Sequence, residues 1–317
     1  RYATHNPFTH PTSELYQKPL MAELTKRTDG RLQFETFWSG TLGKAELFNA
    51  FKSGLAHMGY VTATWVPGKF PLCDIGGLPF SAADPLNAAK ALNQLYDEGY
   101  FDEEWGEVQV LTFLAGAPYS FMMRDSKPMT FEELSGLKAR TPGGTMTETL
   151  KAFGMIPVAL VAGETYEAYE KGLIDVCTWA PKNFLGWKIY EASTRAFLQM
   201  EFQFLANQVA VFNKDKLASL PPDIQKIILD TSREYAAAFL GSFTQSEAEF
   251  FEKCKEYDIE VYTLPDPEMA KVKAATLGIW DNYVEDMEAK ELPIQPLMKR
   301  FLEIMRELGE DPPYTVE

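Results

Sequence analysis

The chain has 317 residues, 46% of them apolar, enough for two ordinary domains or one large one. Acidic side chains outnumber basic ones 45 to 30, a formal net charge of -15. That balance argues against nucleic acid or anionic membrane as a partner, since both need a basic footprint.

No run of about 18 apolar residues occurs, so the chain is not expected to be embedded in a bilayer. It begins at Arg1 with no apolar leader, and the expectation is a secretory segment already removed. Three widely spaced cysteines, Cys73, Cys177 and Cys254, form no CxxC pair, which speaks against structural zinc and a disulfide framework. They read as small buried hydrophobes.

In chain order, residues 1–4 read as the end of a first strand, closed by the turn-rich HNPFTHPTS. A helix follows from Ser13, with Leu15, Leu20 and Leu24 on one face and a stop near TDG. RLQFETFW alternates as a strand does, and GTLGKAELFNAFKSG is a loop feeding a helix closed by Gly54. HMGYVTATW is a strand, 85–106 reads helical, VQVLTFLAG is a strand, and MTFEELSG is a short helix leading into GLKAR. After the PGG turn come a helix over 145–153, the strand IPVALV, the helix ETYEAYEKG and the strand LIDVCTWAP. NQVAVFN is strand-like, 223–256 reads as one long helical stretch, and a last pair of helices ends near Leu308. This alternation predicts an α/β fold with largely parallel sheets, fastened by long C-terminal helices.

The chemistry-bearing motifs are few. His5, His10 and His57 are the only histidines, and none sits in HExxH. There is no GxSxG, GxGxxG or GxxxxGK[ST], so neither a nucleophile elbow nor a nucleotide or other cofactor site is expected. Arg140 stands apart. It ends the run GLKAR where a strand gives way to TPGG and a helix begins near Thr145. Ligands of open α/β sheets bind beyond the carboxyl ends of the strands. A guanidinium there offers a planar fork to a carboxylate, and the N–H groups of Gly143, Gly144 and Thr145 at a helix start favour an anion further. A structural salt bridge is the competing reading.

The blocks YATHNPFTHP, GRLQFETFWSGTLGKAELFNAFKSGLAHMGYVTA, ELSGLKARTPGGTMTETLKAFGMIPVALVAGETYEAYEKGLIDVCTWAP and VFNKDKLASLPPDIQKII follow one another in order. Together they resemble the extracytoplasmic solute-binding subunits of TRAP transporters, the family typified by the C4-dicarboxylate-binding protein. The resemblance covers nearly the whole chain. It implies a two-lobed periplasmic-binding-protein-like fold, with a ligand cleft between lobes that close by a hinge motion. It also implies a periplasmic location, a small-molecule carboxylate as ligand, TRAP membrane subunits as partners, and no catalysis. The arginine of the family's GLKxR motif pairs with the ligand carboxylate, and that position is Arg140. The lobes are expected to be discontinuous, 1–117 with 205–245 and 118–204 with 246–317.

Departures from the family shape the expected ligand. The segment DVCTWAP places Trp179 where many relatives carry an asparagine that contacts the ligand, and Thr178 where an acidic residue precedes tryptophan in some subgroups. Ser120, in APYSF, stands where sialic-acid relatives carry a second arginine. Phe121, Phe184, Trp187 and Phe204 read as core, whereas Tyr119 and Trp179 are placed at strand ends to offer a flat apolar wall. His5, Asn6, Thr62 and Asn207 are candidates for a 2-oxo, hydroxy or amino group. The expected ligand is an aromatic or apolar monocarboxylate, the alternatives being a C4-dicarboxylate or a sugar acid. From other classes, a sensor-type binding protein and a soluble α/β enzyme using Cys177 remain open.

Overall fold

The computed structural model describes residues 1–10, 12–42, 46–63, 66, 68–160, 162–203 and 208–315. The chain runs β1 (Tyr2–Ala3), α1 (Lys18–Arg27), β2 (Thr36–Phe37), α2 (Leu47–Lys52), β3 (Met58–Thr62), α3 (Pro85–Asp97), α4 (Asp102–Trp105) and β4 (Gln109–Leu114). It continues β5 (Tyr119–Met123), β6 (Lys138–Thr141), α5 (Thr145–Ala152), β7 (Ile156–Ala159), α6 (Ala162–Glu170), β8 (Val176–Trp179) and α7 (Pro181–Gly186). Then come β9 (Ala196–Gln203), β10 (Gln208–Phe212), α8 (Lys214–Ala218), α9 (Pro222–Gly241), α10 (Phe243–Glu256), β11 (Glu260–Tyr262), α11 (Asp266–Ala275), α12 (Leu277–Ala289) and α13 (Ile294–Glu307). Two units emerge. The first is Arg1–Gly76, Ala88–Gly116 and Ala206–Gly241, and the second is Gly77–Asn87, Ala117–Leu205 and Ser242–Glu317.

The first unit is built on a five-stranded sheet in the order β2-β1-β3-β10-β4. β2, β1 and β3 are parallel, while β10 runs antiparallel to both β3 and β4. Gly59 is required where β3 meets β1, because a Cβ there would lie 2.0 Å from the Ala3 carbonyl oxygen. The core beside this sheet is aromatic. Phe70 stacks on Trp105 with ring centroids 3.9 Å apart, and Phe48 and Phe113 meet the same indole edge-on. Glu104 is buried there as well and accepts the backbone N–H groups of Leu72 and Cys73.

The second unit has a six-stranded sheet in the order β11-β9-β5-β8-β6-β7. β8, β6 and β7 are parallel, as are β11 and β9, but β5 is antiparallel to both of its neighbours. On one side Phe121, Phe153 and Phe202 pack together, and Phe184, Phe197 and Phe250 form a second cluster under α7 and α10. β7 forms one edge. The N–H groups of Ile156 and Leu160 point inward to Leu137 O and Thr141 O, so the intervening Pro157 turns its nitrogen to the open side.

The expectation of largely parallel sheets is therefore corrected, since each sheet contains two antiparallel pairings. Apolar alternation reports which face of a strand is buried, not the direction in which it pairs. Leu15 is also corrected. Residues Ser13–Gln17 form a wider π-turn ahead of α1, so Leu15 is 52% exposed and Tyr16 takes the buried position. The long stretch over 223–256 is two helices, separated at Ser242. The last pair is a trio, α11 to α13, and β5, β9 and β11 are additional strands.

Candidate functional site

The second unit places its candidate residues through strand register. Ala139 of β6 pairs with Val176 of β8, so one residue further on Arg140 shares a face with Cys177 and, two residues along, with Trp179. Ser120 of β5 lies opposite Trp179. Arg140 is only 4% exposed, as is Trp179, and Tyr119 is 6% exposed.

The guanidinium meets Leu160 and Trp179, with the Tyr119 phenol beside it. Arg140 Nε donates to the Leu160 carbonyl oxygen at 3.3 Å, and the guanidinium carbon stands 4.6 Å from the centroid of the Trp179 ring. Arg140 Nη1 is buried and has no hydrogen-bond partner among the described residues, and no described carboxylate lies within ion-pair distance. A charge taken from water without a partner is costly, so an arrangement of this kind is completed by an anion.

Two neighbours register the charge. Burial pushes the Tyr119 phenol above its ordinary range, and the adjacent guanidinium pulls it back. Burial also pushes the Cys177 thiol up to about 12, again against the pull of Arg140. A thiol that is buried and held protonated is a poor nucleophile.

Ser120 and Gly143 spend polar groups internally. Ser120 Oγ accepts the N–H groups of Met200 and Glu201, each at 3.1 Å, where β9 bulges past β5 and Glu201 takes a left-handed φ of 51°. Gly143, with φ 103°, donates its N–H to Thr141 Oγ1 at 3.0 Å. The turn is closed by that hydroxyl, and Gly144 (φ 60°) caps α5.

The first unit carries a separate group of polar side chains. Asn6 follows β1 and is 5% exposed, and Thr62 ends β3 and is 8% exposed. Asn6 Nδ2 and Thr62 Oγ1 have no hydrogen-bond partner among the described residues. The His5 ring packs 5.4 Å from Tyr60. Asn207 lies outside the described residues, as does Phe204. Phe121 and Phe184 are fully buried core residues.

Sequence reasoning overlooked Tyr60 and misjudged Trp187. Tyr60 is fully buried, its phenol is pushed well up by burial, and its hydroxyl has no partner among the described residues. The signal was available, because Tyr60 stands two residues before Thr62 and so shares its face of β3. Trp187 is not core but 43% exposed, and lies nearly parallel to Trp179 at 14°, with centroids 6.0 Å apart. Its distance from β8 depends on how α7 turns back, which spacing alone does not reveal.

Among the described residues no cluster of His, Cys, Asp or Glu could hold a metal, and no helix is long and apolar enough to cross a membrane. The family model for bacterial extracellular solute-binding proteins, family 7, matches residues 3–286. The chain is 25% identical over 294 residues to the 2,3-diketo-L-gulonate-binding periplasmic protein YiaO of Escherichia coli, covering 90% of this chain and 87% of that one. A TRAP periplasmic solute-binding protein from Desulfovibrio salexigens, solved as an open complex, superposes with a TM-score of 0.89 at 25% identity, covering 98% of this chain and 96% of that one. A TRAP solute-binding protein from Rhodoferax ferrireducens, in complex with copurified benzoate, gives 0.83 at 24% identity, with 97% of each chain covered. The chain belongs to family 7 of the bacterial extracellular solute-binding proteins, the two-lobed periplasmic binding proteins of TRAP transport.

Proposed function

We propose that the protein captures an organic monocarboxylate with an apolar, preferably aromatic, body, such as a 2-oxo acid or an amino acid. It delivers this ligand to TRAP membrane subunits for import, acting in the periplasm after removal of a secretory leader. The observation that carries the reading is the Arg140 guanidinium, nearly excluded from water and lacking an acidic partner among the described residues. Such a fork matches a carboxylate through two parallel hydrogen bonds. Tyr119 and Trp179 beside it are aromatic, and Ser120, in place of a second cation, keeps its oxygen on backbone N–H groups. One anchor serves one carboxylate.

A second reading, a hydroxylated sugar acid, draws on the first unit, where Asn6 Nδ2, Tyr60 OH and Thr62 Oγ1 are buried groups suited to hydroxyls. Native mass spectrometry of the purified protein, with identification of any released molecule, tests both. A thermal-shift panel of aromatic and branched 2-oxo acids, aromatic amino acids, C4-dicarboxylates and uronates complements it, since ligands of the native state raise Tm. Stabilisation by the aromatic acids alone is the expected result. Stabilisation only by dicarboxylates or uronates overturns the ligand class while leaving the anchor in place.

A further inference from the structure

We infer that Trp187 is a positioning residue for the ligand anchor, holding the Trp179 indole in the plane against which the Arg140 guanidinium lies. This rests on the reading of Arg140 as the anchor, and reaches a residue beyond the strand ends.

Three observations support it. First, Arg140 is oriented by few contacts: Nε is tied to Leu160 O at 3.3 Å, the Trp179 ring is 4.6 Å away, the Tyr119 phenol lies beside the guanidinium, and Nη1 has no partner among the described residues. The direction of the open side of the fork therefore depends in part on the indole plane. Second, Trp187 is placed to fix that plane. Ala180 continues β8 in an extended conformation, α7 makes one and a half turns, and Trp187 ends it with its N–H on Asn183 O at 2.9 Å. Lys188, left-handed at φ 54°, then turns the chain away, leaving the Trp187 ring 14° from parallel to Trp179. Third, α7 does not need Trp187 for its own docking. Phe184, fully buried against Phe197 and Phe250, already fastens the helix, whereas Trp187 leaves 43% of its surface in water. The near-parallel pairing of this half-exposed indole with Trp179 gives it a direct bearing on the orientation of that ring.

The test needs no knowledge of the ligand. In 15N-labelled protein the Arg140 Nε–Hε cross-peak is assigned by its disappearance in Arg140→Met. Lying against an indole, it is expected to be displaced upfield by the ring current. In Trp187→Ala, with the amide spectrum showing a folded protein, that displacement should shrink toward the values of solvent-exposed arginines, and Trp187→Phe should restore most of it. An unmoved Hε in Trp187→Ala overturns the inference.

Calorimetry with phenylpyruvate supplies a second readout. Loosening a preorganised anchor should weaken binding about three- to tenfold in Trp187→Ala, with Trp187→Phe close to wild type. Weaker binding with an unmoved Hε would show Trp187 touching the ligand directly, and would also overturn the inference. If wild-type protein does not bind phenylpyruvate, that one acid is ruled out as a ligand, the thermal-shift panel still decides the ligand class, and the Hε shift alone decides the role of Trp187.

Discussion

Replacing Arg140 by methionine should separate binding from stability, because the two respond to different sets of contacts. Methionine keeps much of the apolar stem and removes the charge. In the unliganded protein three terms change. The desolvation of an unpaired guanidinium, several kcal/mol in a site 4% exposed, is relieved. Against it, the hydrogen bond to Leu160 O at 3.3 Å and the approach to Trp179 at 4.6 Å are lost, each worth about 2 kcal/mol when shielded from water. These terms are of similar size and opposite sign, so Tm should move by a few degrees at most.

Binding has no such compensation. Losing a charge-assisted pair to a carboxylate costs about 2–5 kcal/mol, or roughly 30-fold to several thousand-fold in Kd. Calorimetry with the acid that most raises wild-type Tm measures the second effect, and urea denaturation the first. A Kd within about threefold of wild type refutes the anchor. A stability loss of more than about 4 kcal/mol would instead show Arg140 as a structural ion-pair partner. Arg140→Lys should recover little affinity, since an ammonium does not reproduce the fork.

Two further outcomes follow from buried groups in the first unit. Burial raises the Glu104 carboxyl to about 7 despite the two N–H groups it accepts, so the native state holds that proton where the unfolded chain, near 4.5, has released it. Its contribution is present below about pH 4.5 and is lost as pH rises through about 7, on the order of 3 kcal/mol. Across pH 5 to 8, Glu104→Gln should have a flatter Tm profile than wild type, and equal slopes would refute this. Thr62→Val replaces a buried hydroxyl that lacks a partner among the described residues and should raise stability by about 1 kcal/mol, measured by urea denaturation. A loss of stability would show that the hydroxyl is engaged, and an unchanged Kd would remove Thr62 from the candidate ligand contacts.

The place of Arg140 near a strand end was legible because its surroundings are local: a strand end, a PGG turn and a helix start all lie within a few residues. The alternation of strands and helices was legible for the same reason, and α5, α6 and β8 fall where periodicity placed them. What escaped depends on contacts distant in sequence or on turns whose exact winding the pattern does not reveal. The antiparallel insertion of β10 between β3 and β4 joins it to segments about 150 and about 100 residues away, and a burial pattern carries no direction. Leu15 was displaced by a single wide turn that shifts the helical phase. The hydroxyl of Ser120 and the N–H of Gly143 looked available in sequence, but the first accepts from backbone N–H groups of β9 and the second donates to the Thr141 hydroxyl within its own turn.

The proline at the edge of the second sheet bears on how copies of this protein behave when crowded. An open strand edge recruits another strand by offering alternate N–H donors and carbonyl acceptors. On β7 the outward donors would be residues 157 and 159, and Pro157 has none, so Ala159 alone remains. A second chain laid along β7 would leave a carbonyl unanswered at the middle of the strand. The half-exposed Ile156 would otherwise make this edge adhesive, yet the ladder needed to extend the sheet into a polymer cannot start there.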